Sequence, residues 1–158
     1  MAHLTADDGG VIVPCPQCGK ANRVPYERLG GSTARCGHCR HALEPPSAPI
    51  DVDSAARFDV LVHAPVPLLV DFWAPWCGPC LAVAPEFDKV ARSLRGQLLV
   101  AKVNTDQLSD LAARFQIRSI PTMAVFREGR EAARTVGAMG ADQIVRFVEP
   151  HLATVPPR

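Results

Sequence analysis

Three cysteine pairs, each with two residues between the partners, carry most of the chemistry open to this chain. They are Cys15–Cys18 in CPQC, Cys36–Cys39 in CGHC and Cys77–Cys80 in CGPC. Thiols at this spacing can hold a soft metal ion, or they can cycle between dithiol and disulfide. What surrounds each pair separates the two uses.

Cys15-x2-Cys18 and Cys36-x2-Cys39 are separated by 17 residues. That is zinc-ribbon spacing, two short loops supplying two thiolates each to a tetrahedral ion. Pro14, Pro16, Gly19 and Gly37 are turn formers able to bend the backbone around a metal. One structural zinc held by Cys15, Cys18, Cys36 and Cys39 is the reading this pattern supports. Three others compete with it. The four could form two structural disulfides, His38 or His41 could replace one ligand, or CGHC could be a redox pair of its own. The last lacks the apolar strand before the motif and the helix after it. Nucleic-acid binding is not expected. Residues 1 to 45 carry five Lys or Arg and four acids, and one aromatic, Tyr26, is poor provision for stacking bases. A zinc ion with four thiolates would turn that small positive balance to −1.

The third pair follows an apolar run and opens a helical pattern. A helix start offers unpaired N–H groups and partial positive charge, both of which favour a thiolate. Pro79 fits a first turn because it needs no N–H partner there. Cys77, the outer cysteine, is therefore expected to be the nucleophile, and Cys80, one step into the helix, the thiol that resolves. A second metal site would need two more ligands, and His63 and His151 have no convincing spacing for it.

The elements that must position these groups divide the chain in two. Residues 1–43 are expected to form the ribbon, 44–49 a linker with three prolines, and 50–158 the larger domain. About 40 residues cannot bury enough surface to fold alone, so the ribbon needs a staple, which the metal would supply. In the larger domain, Ser54–Val62 has helical spacing and Pro67–Trp73 suits a buried parallel strand. Leu81–Leu94 reads as a helix kinked at Pro85. Leu98–Val103 is a second buried strand and Gln107–Phe115 a short helix. Thr122–Arg127 and Glu131–Val136 flank a hairpin turn at Glu128–Gly129. Ala141–Leu152 has one apolar helical face. The sum is an α/β fold, a central mixed sheet with helices on both faces. The 47% hydrophobic and 21% charged content suits a packed core, and the net charge of +1 argues against a polyanion partner. No run of about 18 apolar residues suggests a membrane span, and no signal-like start is present, so a cytoplasmic protein is expected.

DFWAPWCGPC resembles the signature of the thioredoxin family. VAKVNTDQ (100–107), IRSIPT (117–122), REG (127–129) and VGA (136–138) resemble further thioredoxin stretches in the same order. With the four-cysteine segment in front, the chain is similar to the zinc-bearing second thioredoxin of bacteria. The resemblance implies a thioredoxin fold and a protein disulfide reductase working through a redox-active Cys77–Cys80 disulfide. It implies Asp71 as the buried acid that assists the resolving thiol, with Lys102 as its partner; a carboxylate in an apolar strand should itself have a raised pKa. An ordinary buried ion pair is the plainer alternative. Trp73 matches a packing tryptophan, while Trp76, Gly78, Pro79, Ile120, Pro121 and Gly137 match the substrate-facing rim, with Pro121 in a cis-proline loop. The implied partners are an NADPH-dependent thioredoxin reductase and protein disulfides, with the chain a monomer. Three departures bear on substrate preference: Leu81 in place of a lysine, Ser119 in place of a glycine, and Pro75 in place of a polar residue. The rival to a reductase is a redox-regulated zinc-binding docking or chaperone-like module built on a thioredoxin scaffold.

Overall fold

The computed structural model describes residues 3–30 and 34–152. Residues 1–2 and 31–33 of the expected ribbon, and 153–158 of the expected larger domain, lie outside them. The N-terminal segment folds as a three-stranded antiparallel sheet, β1 (Thr5–Asp7), β2 (Gly10–Pro14) and β3 (Ala21–Val24), in that order. The rest follows as β4 (Ile50–Asp51), α1 (Ala55–Leu61), β5 (Leu68–Trp73), α2 (Gly78–Ser93), β6 (Leu99–Asn104), α3 (Ser109–Arg114), β7 (Thr122–Arg127), β8 (Arg130–Val136) and α4 (Ala141–Val148). Its five strands lie in the order β4-β6-β5-β7-β8. β4, β5 and β6 run parallel, and β7 and β8 are antiparallel. This is the expected mixed sheet.

The central strand explains the layering. Every residue of LLVDFW is buried except the half-buried Trp73, because helices cover both faces. Leu68, Val70 and Phe72 face one core with Phe58, Leu111 and Phe126. Phe58, Phe115 and Phe126 form a cluster with ring centroids 5.2 to 5.4 Å apart. Leu69 faces the other core, with Val83, Phe87 and Val90 of α2 and Ile144 and Val148 of α4. By strand alternation Asp71 points to that same second face.

Local chemistry sets the boundaries. The Ser54 hydroxyl accepts from the Arg57 N–H at 3.1 Å and caps α1. Glu128 and Gly129 both adopt positive φ, 53° and 80°, which a tight hairpin requires. α2 begins at Gly78 rather than Leu81, with Cys77 as its cap, and runs through Pro85. The helix expected from Gln107 starts at Ser109, because Asn104 binds the Asp106 and Gln107 N–H groups and holds a turn there. The helix expected to reach Leu152 ends at Val148. Pro150 lacks the N–H that would continue the ladder, and Glu149–His151 tightens into a 3₁₀ turn.

The strands of the N-terminal segment and the short edge strand β4 have no counterpart in the expectations above. Nor does the segment stand apart. Leu4 bridges Ile50 in parallel register, its N–H donating to the Pro49 carbonyl at 2.8 Å and its own carbonyl accepting from Asp51 at 2.9 Å. Val11, Val13, Val24, Leu29 and Leu43 are buried in one continuous core with Ile50, Leu61, Val62 and Val66. Arg57 of α1 reaches Asp8 at 3.0 Å, and the Tyr26 hydroxyl donates to the Asp7 carbonyl. The ribbon thus has two staples, a cysteine cluster at one end and a shared apolar core at the other.

Candidate functional site

The sheet places the third cysteine pair at the C-terminal end of β5. After Trp73 the chain turns through Ala74–Trp76, and Cys77 caps α2. The Cys80 N–H points at the Cys77 sulfur at 3.2 Å, one of the free amides that a helix start leaves available. Cys77 and Cys80 are joined as a disulfide with Cα atoms 5.2 Å apart. Both sulfur-bearing residues are almost buried, packed among Ala74, Trp73 and Ile120. The loop before β7 closes over them. Its Ile120–Pro121 peptide is cis, and the Ile120 carbonyl lies 3.8 Å from the Cys77 sulfur.

The rim around the pair is apolar and open. Trp76 is 71% exposed and Leu81 55%. Gly78 and Pro79 are exposed, Ile120 and Gly137 half-buried, and Pro121 buried beneath them. The Gly137 N–H is bonded to the Pro121 carbonyl at 2.9 Å, which ties the start of the last loop to the cis-proline loop. The indole N–H of Trp76 donates to Asp106 at 3.2 Å, and the Thr105 hydroxyl and N–H hold the Trp73 carbonyl. Asp106 was not singled out from the sequence as a site residue, although it sits in the VNTD stretch. Its role becomes visible only when the loop after β6 is folded against Trp76. Ser119 is exposed, and its carbonyl takes the Thr122 hydroxyl at 2.6 Å.

Asp71 and Lys102 meet on the second face of the sheet. The ammonium donates to Oδ2 at 2.9 Å, with Asp71 fully buried and Lys102 4% exposed. The other carboxylate oxygen, Oδ1, has no hydrogen-bond partner among the described residues. The ammonium also lies over the Trp73 and Phe87 rings, at 5.1 and 5.6 Å. Burial pushes the Asp71 carboxyl above its ordinary range. Lys102 pulls the other way and does not offset it.

Cys15, Cys18, Cys36 and Cys39 converge, their four sulfurs within 4.8 Å of one another. Cys15 and Cys39 are 3.6 Å apart, as are Cys18 and Cys36. Ligands about 2.3 Å from a tetrahedral zinc stand roughly 3.8 Å from each other, so this donor set fits that ion. Each pair sits in the same kind of loop. The Gln17 N–H points at the Cys15 sulfur at 3.4 Å and the His38 N–H at the Cys36 sulfur at 3.3 Å. Gly19 and Arg40, each just after a pair, take φ of 77° and 66°. The Asn22 amide adds a donor to Cys36 at 3.5 Å. Backbone donation from Cys39, with that of His38 and the Asn22 amide, holds the Cys36 thiol down at about 6. His38 and His41 are not part of the cluster.

The two cysteine groups match different families. The thioredoxin family matches residues 49–150, and a zinc-ribbon family described as "Thioredoxin 2, N-terminal" matches residues 14–41. Thioredoxin C-3 of Corynebacterium nephridii is 35% identical over 142 residues, 90% of this chain and 96% of that protein. Thioredoxin 1 of Nostoc sp. is 45% identical over 100 residues, 63% of this chain and 92% of that one. Among solved structures, a mutant thioredoxin from Halobacterium salinarum superposes with a TM-score of 0.64 at 29% identity, covering 70% of this chain and 96% of the other.

Proposed function

The chain belongs to the thioredoxin family and is a thiol-disulfide oxidoreductase, and on that premise we propose that it is a general protein disulfide reductase with a structural zinc ribbon. The observation that carries the reading is the Cys77–Cys80 pair at the start of α2. There the Cys80 N–H faces the Cys77 sulfur, beside an open apolar rim and the Ile120–Pro121 loop.

In the reduced protein the Cys77 thiolate attacks one sulfur of a substrate disulfide. The substrate's other sulfur leaves as a thiolate and takes a proton from water. Cys80 then gives its proton to the Asp71 carboxylate and attacks the Cys77 sulfur. The second substrate sulfur leaves and is protonated in turn. The substrate gains two electrons and two protons, and the protein is left with the Cys77–Cys80 disulfide. A raised proton affinity suits Asp71 to accept that proton near neutral pH, and Lys102 keeps the carboxylate in place. Trp76, Gly78, Pro79, Ile120, Pro121 and Gly137 form the surface on which an extended substrate segment lies, its backbone pairing with the loop at Pro121. An NADPH-dependent thioredoxin reductase restores the dithiol, in a reducing compartment such as the cytoplasm. No helix among the described residues is long and apolar enough to cross a membrane.

Cys15, Cys18, Cys36 and Cys39 would hold the zinc, which when bound supplies folding free energy to residues 1–43. The shared core with α1 supports a structural role over a free docking arm. A timed thiol titration of the reduced, zinc-loaded protein, with released zinc read alongside, tests the division of labour. Two thiols reacting fast with one zinc retained is the expected result. Six reacting together with prompt zinc release would overturn the structural reading of the ribbon.

A further inference from the structure

Asp51, Lys102 and Asp71 stand in one row across three neighbouring strands. Lys102 of β6 is in register with Asp51 of β4 on one side and with Asp71 of β5 on the other. In-register neighbours point to the same face of a sheet, so the lysine stands between two aspartates. The ammonium nevertheless serves Asp71, at 2.9 Å. The Asp51 carboxylate instead takes Nδ1 of His3, also at 2.9 Å. The other imidazole nitrogen, Nε2, lies 3.9 Å from Asp88 on α2.

His3 belongs to neither the sheet nor the helices of the larger domain. It is brought there by Leu4, whose backbone is bonded to Pro49 and Asp51 on both sides. The ring is 29% exposed, whereas Asp71 is fully buried. The row therefore leads from the buried acid to the surface, with a residue of the N-terminal segment at its outer end. The charged groups around Asp71 are Lys102 from β6 and His3 from that segment. Those around His3 are Asp51 from β4 and Asp88 from α2. The Lys102 ammonium is otherwise flanked by the Trp73 and Phe87 rings.

We infer that His3 is a positioning residue for Asp71: it engages Asp51, leaves Lys102 to Asp71 alone, and places a cation at the outer end of the row when protonated. Both effects favour the ionised form of Asp71, the form that accepts the Cys80 proton. The field of His3 acts in that direction on the buried carboxyl. Docking of the ribbon is thereby coupled to the resolving half of the exchange reaction, an inference that rests on the role proposed for Asp71.

The test uses the full-length, zinc-loaded, oxidised protein with carbon-13 in its aspartate carboxyls, titrated by NMR. In His3→Ala the Asp71 midpoint rises by roughly 0.2 to 0.7 pH unit, the size of a partly screened charge contact. His3→Lys returns it toward the unaltered value. His3→Ala with Asp51→Asn recovers part of the rise, because Lys102 no longer has a second acid beside it. An unmoved midpoint in His3→Ala overturns the inference. So do equal rises in the alanine and lysine variants, which would mark a lost packing contact. The parent reading is checked separately. Asp71→Asn that reduces insulin disulfides at the unaltered rate removes Asp71 from the reaction, whatever the NMR midpoints say of His3.

Discussion

Replacing Asp71 with asparagine should stabilise the oxidised protein, and increasingly so as pH rises. The reason lies in the geometry of the carboxyl. It is fully buried, one oxygen is bonded to Lys102, and the other has no hydrogen-bond partner among the described residues. Burial raises its pKa above the ordinary value of 3.8, despite the neighbouring ammonium. The folded protein therefore holds this proton more tightly than the unfolded chain does. Between 3.8 and the raised value, the folded state binds the extra proton, so stability falls as pH rises. Above the raised value the loss is complete and constant. Below 3.8 the carboxyl is protonated in both states and nothing is lost. Within the window the slope for one group approaches about 1.4 kcal/mol per pH unit. Asparagine has the same shape and cannot ionise. It leaves Lys102 without its anion, but Lys102 keeps the Trp73 and Phe87 rings, and burial was the larger of the opposing effects on Asp71. Urea unfolding from pH 4 to 9, followed by tryptophan fluorescence, gives the variant-minus-parent difference directly. A difference that climbs with pH through a single-proton step and then levels bears out the reasoning. A flat difference, or one that favours the parent protein at neutral pH, would refute it: the Lys102 pair would then outweigh the cost of burying Asp71.

Two further outcomes follow from the same structure. Cys80→Ser should stall the reaction after the first attack, since the resolving thiol is gone while Cys77 keeps its place at the cap of α2. Mass spectrometry should find the variant joined to a disulfide-bearing probe such as insulin, and a Cys77→Ser partner experiment should find none. Phe58→Ala should cost about 3 to 5 kcal/mol in urea unfolding, because the ring is fully buried and meets Phe115 and Phe126 at 5.3 and 5.4 Å. A loss below about 1 kcal/mol would mean that the site collapses around the missing ring.

Much of the molecule was legible in local sequence. The run LLVDFW, the helical spacing of Ser54–Val62, the Glu128–Gly129 turn and the apolar face read over Ala141–Leu152 each announce an element through residue type and period alone. The three cysteine pairs were separable on the same terms. Turn formers flank two of them, and an apolar strand and a helix flank the third, so the thiols converge as a cluster in one case and as a disulfide in the other. Short-range signals suffice there because the groups that act together lie within a few residues, or within two loops of like form.

What lay beyond the sequence was every contact made across the fold. Strands β1 to β4 are two to five residues long, with too few positions to show a period. The ribbon's apolar residues looked too sparse for a core because that core is completed by residues of the larger domain, among them Phe58 and Leu61 of α1 and Val62 and Val66 after it. Asp106 reaches Trp76 across 30 residues, and His3 reaches Asp51 across 48. Neither carries a local pattern, since a side-chain hydrogen bond constrains distance in space and leaves separation along the chain free. The sequence by itself thus determined which residues can do chemistry. Only the tertiary structure decided that the buried acid pairs with Lys102 and that the ribbon's His3 reaches Asp51 on the other side of that lysine, because register across a sheet and burial against a distant helix exist only once the chain has folded.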